Sequence, residues 1–276
     1  MKTACKRPVA LFDSGMGGLT VFKAVAACLP GEDLIYLGDT ARLPYGTKGR
    51  DTIVRYTLKA AQKLLEYDVK MLVTACNTAT AAALPTLCEH FVGLPVLGVV
   101  EPGALAAAKA SRNGRIVVIA TEATIAGGAY QQAIARLRPE AYVLGRACTL
   151  FVPLAEEGWM GGALVEGIAH RYLDDIFSPP VTAPRPDTLL LGCTHFPPLL
   201  PALKNVVGAH VHIVDSAATT AEHIRAELAA RALLRGEGSI GRHRFLTTDN
   251  PVRFVRTGSL FLGRTLKSAE VELVDL

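Results

Sequence analysis

Short, wholly apolar runs recur along the chain, separated by longer Ala- and Leu-rich stretches. The runs Val9 to Phe12, Leu34 to Leu37, Met71 to Thr74, Val96 to Val100, Ile116 to Ala120, Leu189 to Leu191 and Val211 to Val214 read as strands. Between them, Gly18 to Cys28, Thr52 to Tyr67, Gly103 to Ser111, Ala129 to Leu137, Ala163 to Ile176 and Ala217 to Leu234 read as helices. Strands with no polar alternation are covered on both faces, and their alternation with helices predicts mainly parallel sheets of an α/β fold. Ligands of such sheets lie outside the carboxyl ends of the strands. The residues that follow each strand are therefore where chemistry is expected.

Those positions are Asp13-Ser14, Gly38-Asp39, Ala75-Cys76-Asn77-Thr78, Glu101-Pro102, Thr121, Gly192-Cys193-Thr194-His195 and Asp215-Ser216. Reactive or hydrogen-bonding side chains stand at nearly every exit. A diverged duplication is also visible. LVTACNTAT (72–80) and LLLGCTHFP (189–197) share the plan of apolar strand, small residue, Cys and polar residue, and the upstream exits Asp13 and Thr121 precede their cysteines by 63 and 72 residues. Two pseudo-symmetric, doubly wound lobes facing one another across an active site are expected.

Composition narrows the class. Half of the 276 residues are hydrophobic, enough for one large domain or two compact lobes. Charged residues make up 20% and the formal net charge is +4, a balance that argues against a dedicated nucleic-acid binder. The densest basic stretch, Arg242 to Lys267, carries six Lys and Arg over 26 residues and reads as solvated surface. No apolar stretch approaches the roughly 18 residues of a membrane span, and the run after Lys2, Lys6 and Arg7 is too short for a signal segment. The cysteines at 5, 28, 76, 88, 148 and 193 form no CxxC pair. Thiols spread so thinly suggest a reduced, cytoplasmic protein.

One cysteine at a strand end is more often packing than chemistry, because free Cys is among the most buried residue types. Two at equivalent places, each beside hydroxyl and amide or imidazole groups, reverse that balance. Cys5, Cys28, Cys88 and Cys148 lack this context. Inverting a carbon centre by proton transfer needs one group on each face of a planar intermediate, and a thiolate and a thiol exchange roles when the mirror-image substrate is used. Both TACNTAT and GCTHFPPL would set sulfur at a strand-to-helix junction, where backbone N–H groups lower a thiol pKa and hold a carboxylate. His195, two residues beyond Cys193, is suited to act as acid or base for the thiol or the substrate. Asp13, before the glycine turn Gly15-Met16-Gly17-Gly18, is suited to polarise Cys76 or hold an ammonium group. DSGMGG alone is a weak signal, since glycine turns after a first strand are common.

FDSGMGGLTV (12–21), YLGDTARLPYGTKG (36–49), TACNTAT (74–80), GVVEPGA (98–104), FVPLAEEG (151–158), LGCTHFP (191–197) and VDSA (214–217) together resemble glutamate racemase. The resemblance runs in order from residue 9 to about residue 217 and continues more weakly through TTDNP (247–251). It implies a cofactor-independent racemase of two α/β lobes closing over glutamate, the first lobe formed by 1–100 plus 212–276 and the second by 101–211. It further implies Cys76 acting on one face with Asp13 assisting, Cys193 on the other with His195 assisting, and Glu156 assisting in catalysis. Ser14, Pro44, Tyr45, Gly46, Asn77, Thr78 and Thr194 match positions that hold substrate, and Thr121 and Thr124 are further contacts. Ala155 and Thr149 depart from the family pattern next to Glu156. Supply of D-glutamate to peptidoglycan follows from the same resemblance. A homodimer is compatible with it, the family varying in dimer arrangement.

Rival readings fit less of the sequence. An aspartate racemase or a related isomerase would keep both thiols, but DSG with PYGTK resembles the glutamate branch. A two-lobed binding protein explains hydroxyls and glycines at strand ends but not paired thiols. A zinc site from Cys76, Cys193 and His195 lacks short-range ligand pairs. Pyridoxal chemistry needs a Schiff-base lysine, and no Lys stands at a strand exit.

Overall fold

The computed structural model describes residues 4–178, 184–236 and 238–276. The chain begins with β1 (Val9–Asp13), α1 (Leu19–Cys28), β2 (Leu34–Gly38), α2 (Arg50–Leu65), β3 (Met71–Thr74), α3 (Asn77–His90) and β4 (Val96–Gly98). There follow α4 (Val100–Ala110), β5 (Arg115–Ala120), α5 (Glu122–Gly127), α6 (Ala129–Leu137), β6 (Tyr142–Ala147), α7 (Phe151–Glu156) and α8 (Ala163–Phe177). The last part comprises β7 (Thr188–Gly192), α9 (Leu200–Val207), β8 (His212–Asp215), α10 (Ser216–Ala230), β9 (His243–Thr247), α11 (Pro251–Leu262) and β10 (Val271–Leu273).

The strands form two sheets, ordered β10-β9-β2-β1-β3-β4 and β6-β5-β7-β8, with every pairing parallel. The runs β2-β1-β3-β4 and β6-β5-β7-β8 have the same order, so the duplication seen between the two cysteine segments is a duplication of topology. In each sheet the strand order reverses between the first strand and the cysteine-bearing one, and a crevice opens at such a switch point. Asp13 and Cys76 flank it in one lobe; Thr121 and Cys193 flank it in the other.

Burial explains the strands. β1, β2, β3 and β7 are buried at every residue, as parallel strands covered on both faces must be. In α2, Ile53, Thr57, Ala60, Ala61 and Leu64 recur at helical spacing and make one buried stripe against the first sheet. Inside that lobe the buried Lys70 ammonium donates to Glu32 and to the carbonyls of Cys5 and Leu233, fastening the N-terminal segment and the chain after α10 to the sheet. Its position beside both a carboxylate and two carbonyls satisfies a charge that burial would otherwise expel.

Three expectations need correction. First, the return to the first lobe does not occur at residue 212: β8 is hydrogen-bonded to β7 as the edge strand of the second sheet, and α10 makes the crossing. There Ala217, Ala221, Ile224 and Leu228 join the core of the first lobe. Second, the basic stretch 242–267 is only half surface. Its Lys and Arg are exposed, yet Phe245, Leu246, Phe254, Phe261 and Leu262 are core residues of β9 and α11. Third, Cys193 does not cap an α-helix; a bend and a 3-10 turn at Pro197–Leu199 precede α9. The two prolines that open this turn lack the N–H groups an N-terminal α-helical turn would present.

Candidate active site

Cys76 is the N-cap of α3. Its sulfur accepts from the Ala79 backbone N–H at 3.4 Å, and its thiol donates to Ser14 Oγ at 3.5 Å. Burial, followed by the nearby Asp13 carboxylate, pushes this thiol up to about 12. Asp13 ends β1 fully buried, with one oxygen accepting from Gly15 N–H (2.9 Å) and the other from Thr194 Oγ1 (3.4 Å). Burial raises its carboxyl above the ordinary range, against the opposing pull of His195 and the Gly15 and Gly18 N–H groups.

On the opposite lobe Cys193 Sγ lies 3.9 Å from His195 Nδ1. The other ring nitrogen, Nε2, is 3.2 Å from Glu156 Oε1. Burial alone would lower His195, but its contacts with Cys193 and Glu156 and the field of Asp13 hold it up to about 10. Burial likewise opposes ionisation of Glu156, yet His195 and Arg253 keep its carboxyl below the usual range. These contacts favour the protonated form of the His195 ring. The ring of Phe261 meets it edge to face at 5.1 Å.

Asp13 therefore acts on both halves, facing the Cys76 thiol on one side and Thr194 and His195 on the other. The glycine turn is what allows this proximity. A Cβ at Gly17 would fall 2.5 Å from both His195 Nδ1 and Thr194 Oγ1. Gly46 similarly approaches Thr121, where a Cβ would meet the side chain at 2.6 Å.

The remaining sequence-selected residues gather at the same seam. Thr78, Thr121 and Thr124 form a triangle of hydroxyls with edges of 2.8, 3.1 and 2.9 Å, joining α3 to the start of α5. Asn77 is buried, its Nδ2 donating to Tyr130 OH at 2.6 Å while its Oδ1 has no partner. Pro44 and Gly46, with Leu43, Thr121, Val152 and Glu156, line a cavity of about 320 Å³ at the mouth of the seam. Tyr45 is different: its hydroxyl donates to Asp39 at 2.6 Å and its ring packs on Phe12, so its side chain braces the loop. A more open cleft of about 480 Å³, between α1, α10 and α11, contains neither thiol.

Two participants were not selected from the sequence. Tyr130 on α6 reaches across to Asn77 and lies against Gly192, the residue before Cys193. Its helical spacing marks it only as a core residue. Arg253 on α11 donates to Glu156 Oε2 at 3.0 Å, and nothing near it in sequence points to a partner 97 positions away. Among the described residues, no group of three or more His, Cys, Asp or Glu side chains is set to hold a metal ion. Among them, too, no helix is long and apolar enough to cross a membrane.

Two thiols thus stand at equivalent strand ends, Cys76 beside Ser14 and Asp13 and Cys193 beside His195. A family model of the Asp/Glu/hydantoin racemases matches residues 18–224, and the chain belongs to that family. Within the family it falls among the glutamate racemases. It is 47% identical to the glutamate racemase of Geobacter metallireducens over 94% of each chain. It superposes with a TM-score of 0.89 on the glutamate racemase of Francisella tularensis in complex with D-glutamate, at 34% identity over 98% of both chains. The Thermus thermophilus glutamate racemase in complex with β-chloro-D-alanine gives 0.86 at 40% identity, covering 99% of this chain and 98% of the other.

Proposed function

We propose that this chain interconverts L- and D-glutamate by transfer of the α-proton between Cys76 and Cys193 on opposite faces of the substrate. The observation that carries the proposal is the pairing of the two cysteines at equivalent strand ends with unlike surroundings. Cys76, pushed up to about 12, is a thiol at neutral pH and suits the donor. Cys193, with His195 Nδ1 3.9 Å from its sulfur, suits the acceptor. When one enantiomer binds, the Cys193 thiolate takes the proton from Cα, leaving a planar carbanion delocalised into the carboxylate. The Cys76 thiol then gives its proton to the other face. The mirror-image substrate runs the sequence backwards; exchange of the thiol protons with solvent resets the pair between turnovers, and no oxidant enters the balance.

The companions follow from the same geometry. His195, backed by Glu156, compensates charge on Cys193, and Asp13 faces the Cys76 side. Ser14, Asn77, Thr78, Thr194, Thr121 and Thr124 supply donors and acceptors for the carboxylates and the ammonium group, and the Pro44–Gly46 loop covers the entrance. The unpaired Asn77 Oδ1 is an acceptor with capacity to receive an ammonium proton. D-Glutamate formed this way would serve peptidoglycan synthesis in the cytoplasm, a compartment that suits six unpaired cysteines.

Incubating L-glutamate with the protein in heavy water should abolish optical activity and place deuterium at Cα. Cys76→Ala and Cys193→Ala should each lose racemisation by at least about 100-fold, the scale of a lost acid–base group. A Cys193→Ala variant that still racemises at the parent rate would sink the two-thiol mechanism.

A further inference from the structure

We infer that Arg253 is a positioning residue of the Cys193 half of the reaction, holding Glu156 against His195 from the opposite lobe. The inference rests on the proposed two-thiol reading. It begins with a continuous chain of contacts: Arg253 Nη2 to Glu156 Oε2 at 3.0 Å, Glu156 Oε1 to His195 Nε2 at 3.2 Å, and His195 Nδ1 to Cys193 Sγ at 3.9 Å. Glu156 uses one oxygen for each partner, so the guanidinium and the imidazole fix both ends of a single carboxylate. That carboxylate is the last residue of α7, where the helix gives it no further hold, and its side chain is only 10% exposed. Without Arg253 the carboxylate has one bond and a free torsion.

Arg253 is itself well anchored. Asn250 caps α11 by accepting from the Arg253 backbone N–H at 3.1 Å, and Pro251 pre-sets the first turn. The next residue, Phe254, is fully buried in the first lobe against Tyr36, with ring centroids 6.2 Å apart. The Glu156 end belongs to α7, whose Phe151 and Leu154 enter the second lobe's core beneath β7 while Ala155 packs against the core of the first. The ion pair thus spans the seam, and the arginine meets its carboxylate only when the lobes are seated together. Its line of contacts ends at Cys193, whereas the Cys76 sulfur is hydrogen-bonded to Ser14 and to the Ala79 N–H, neither of which is hydrogen-bonded to Glu156 or Arg253.

The two enantiomers have equal free energy, so loss of Arg253 must lower kcat/KM equally in both directions. Primary isotope effects carry no such constraint. With α-deuterated substrates, the enantiomer deprotonated by Cys193 should show a larger isotope effect in Arg253→Met, because that transfer has become slower. The enantiomer deprotonated by Cys76 should show a smaller one, because reprotonation by Cys193 now limits the rate. The expected fall in kcat/KM is about tenfold, below the roughly 100- to 10,000-fold range of a group that transfers the proton itself. Arg253→Lys, which keeps a donor and a charge, should recover part of the rate and narrow the divergence.

Glu156→Gln separates the two levels of the argument. If Arg253→Met leaves both isotope effects at parent values, or moves both in the same sense, while Glu156→Gln makes them diverge, the role of Arg253 is refuted and the two-thiol reading stands. If Glu156→Gln also fails to make them diverge, the assignment of Glu156 and His195 to the Cys193 half is wrong, and the inference falls with it.

Discussion

Replacing Gly17 with Ala tests whether the glycine turn exists for close approach to the site. Gly17 has no left-handed backbone to preserve, so alanine is conformationally acceptable there. The obstacle is space. The added Cβ would lie 2.5 Å from His195 Nδ1 and from Thr194 Oγ1, about 0.9 Å inside the 3.4 Å at which ordinary contact begins. His195 cannot yield freely, since Cys193, Glu156 and Phe261 hold it on other sides. Either the imidazole leaves the sulfur, or the turn retreats and drags the segment that ends at Asp13. A misplacement of about 1 Å at reacting groups costs on the order of 100-fold in rate, and overpacking of a filled site costs about 1–3 kcal/mol. The loss of kcat is read by circular dichroism of glutamate, and the loss of stability by urea unfolding. Gly167→Ala is the reference: nothing lies within 4 Å of its added carbon, and it sits inside α8. There the same change should stabilise by roughly 0.5–1 kcal/mol through helix propensity and leave activity alone. Parent-like kcat and stability in Gly17→Ala would refute the argument that the turn is glycine because the site closes over it.

Tyr130→Phe removes the acceptor of the 2.6 Å bond from Asn77 and leaves that buried amide wholly unpaired, so unfolding free energy should drop by about 1–3 kcal/mol and KM for glutamate should rise. Unchanged urea midpoints would show that Asn77 finds another partner. The pH dependence of stability has a definite sign. His195 binds its proton up to about 10 when folded and to about 6.5 when unfolded, so its contribution is complete below 6.5 and is lost as pH rises through 10. Cys76, raised from 9 to about 12, adds a second loss above pH 9. Urea titrations across this range should show the first decline flattened in His195→Asn and the second kept; equal slopes in parent and variant would contradict the assignment.

Strand exits were legible because their cause is local. Short apolar runs alternating with helical stretches read as buried parallel strands, and their ends carry whatever side chains follow them in sequence. Asp13, Cys76, Thr121 and Cys193 could be found in this way. Elements that break the local pattern were hidden. β9 begins with exposed His243 and Arg244, β6 is a half-exposed edge containing Gly145 and Arg146, and β10 has only three residues. α3 opens on Asn-Thr-Ala-Thr and contains Pro85, so neither its propensity nor its periodicity declares a helix. The length of α10 was overstated because Ala232 and the residues after it keep a helical composition, although the helix ends at Ala230 and Ala232 adopts a left-handed turn.

What the sequence determined by itself was the alternation of strands and helices, the duplicated plan, and which side chains stand at the carboxyl ends. These depend on hydrophobic runs and chain order alone. Only the tertiary structure decided which of those side chains meet. Thr194 reaches Asp13 across 181 positions, Asn77 reaches Tyr130 across 53, and Arg253 reaches Glu156 across 97. It also decided that one thiol is pushed up by burial while a histidine beside the other keeps its proton. Burial and pairing are properties of where two lobes come to rest against each other, and no local pattern of residues encodes that distance.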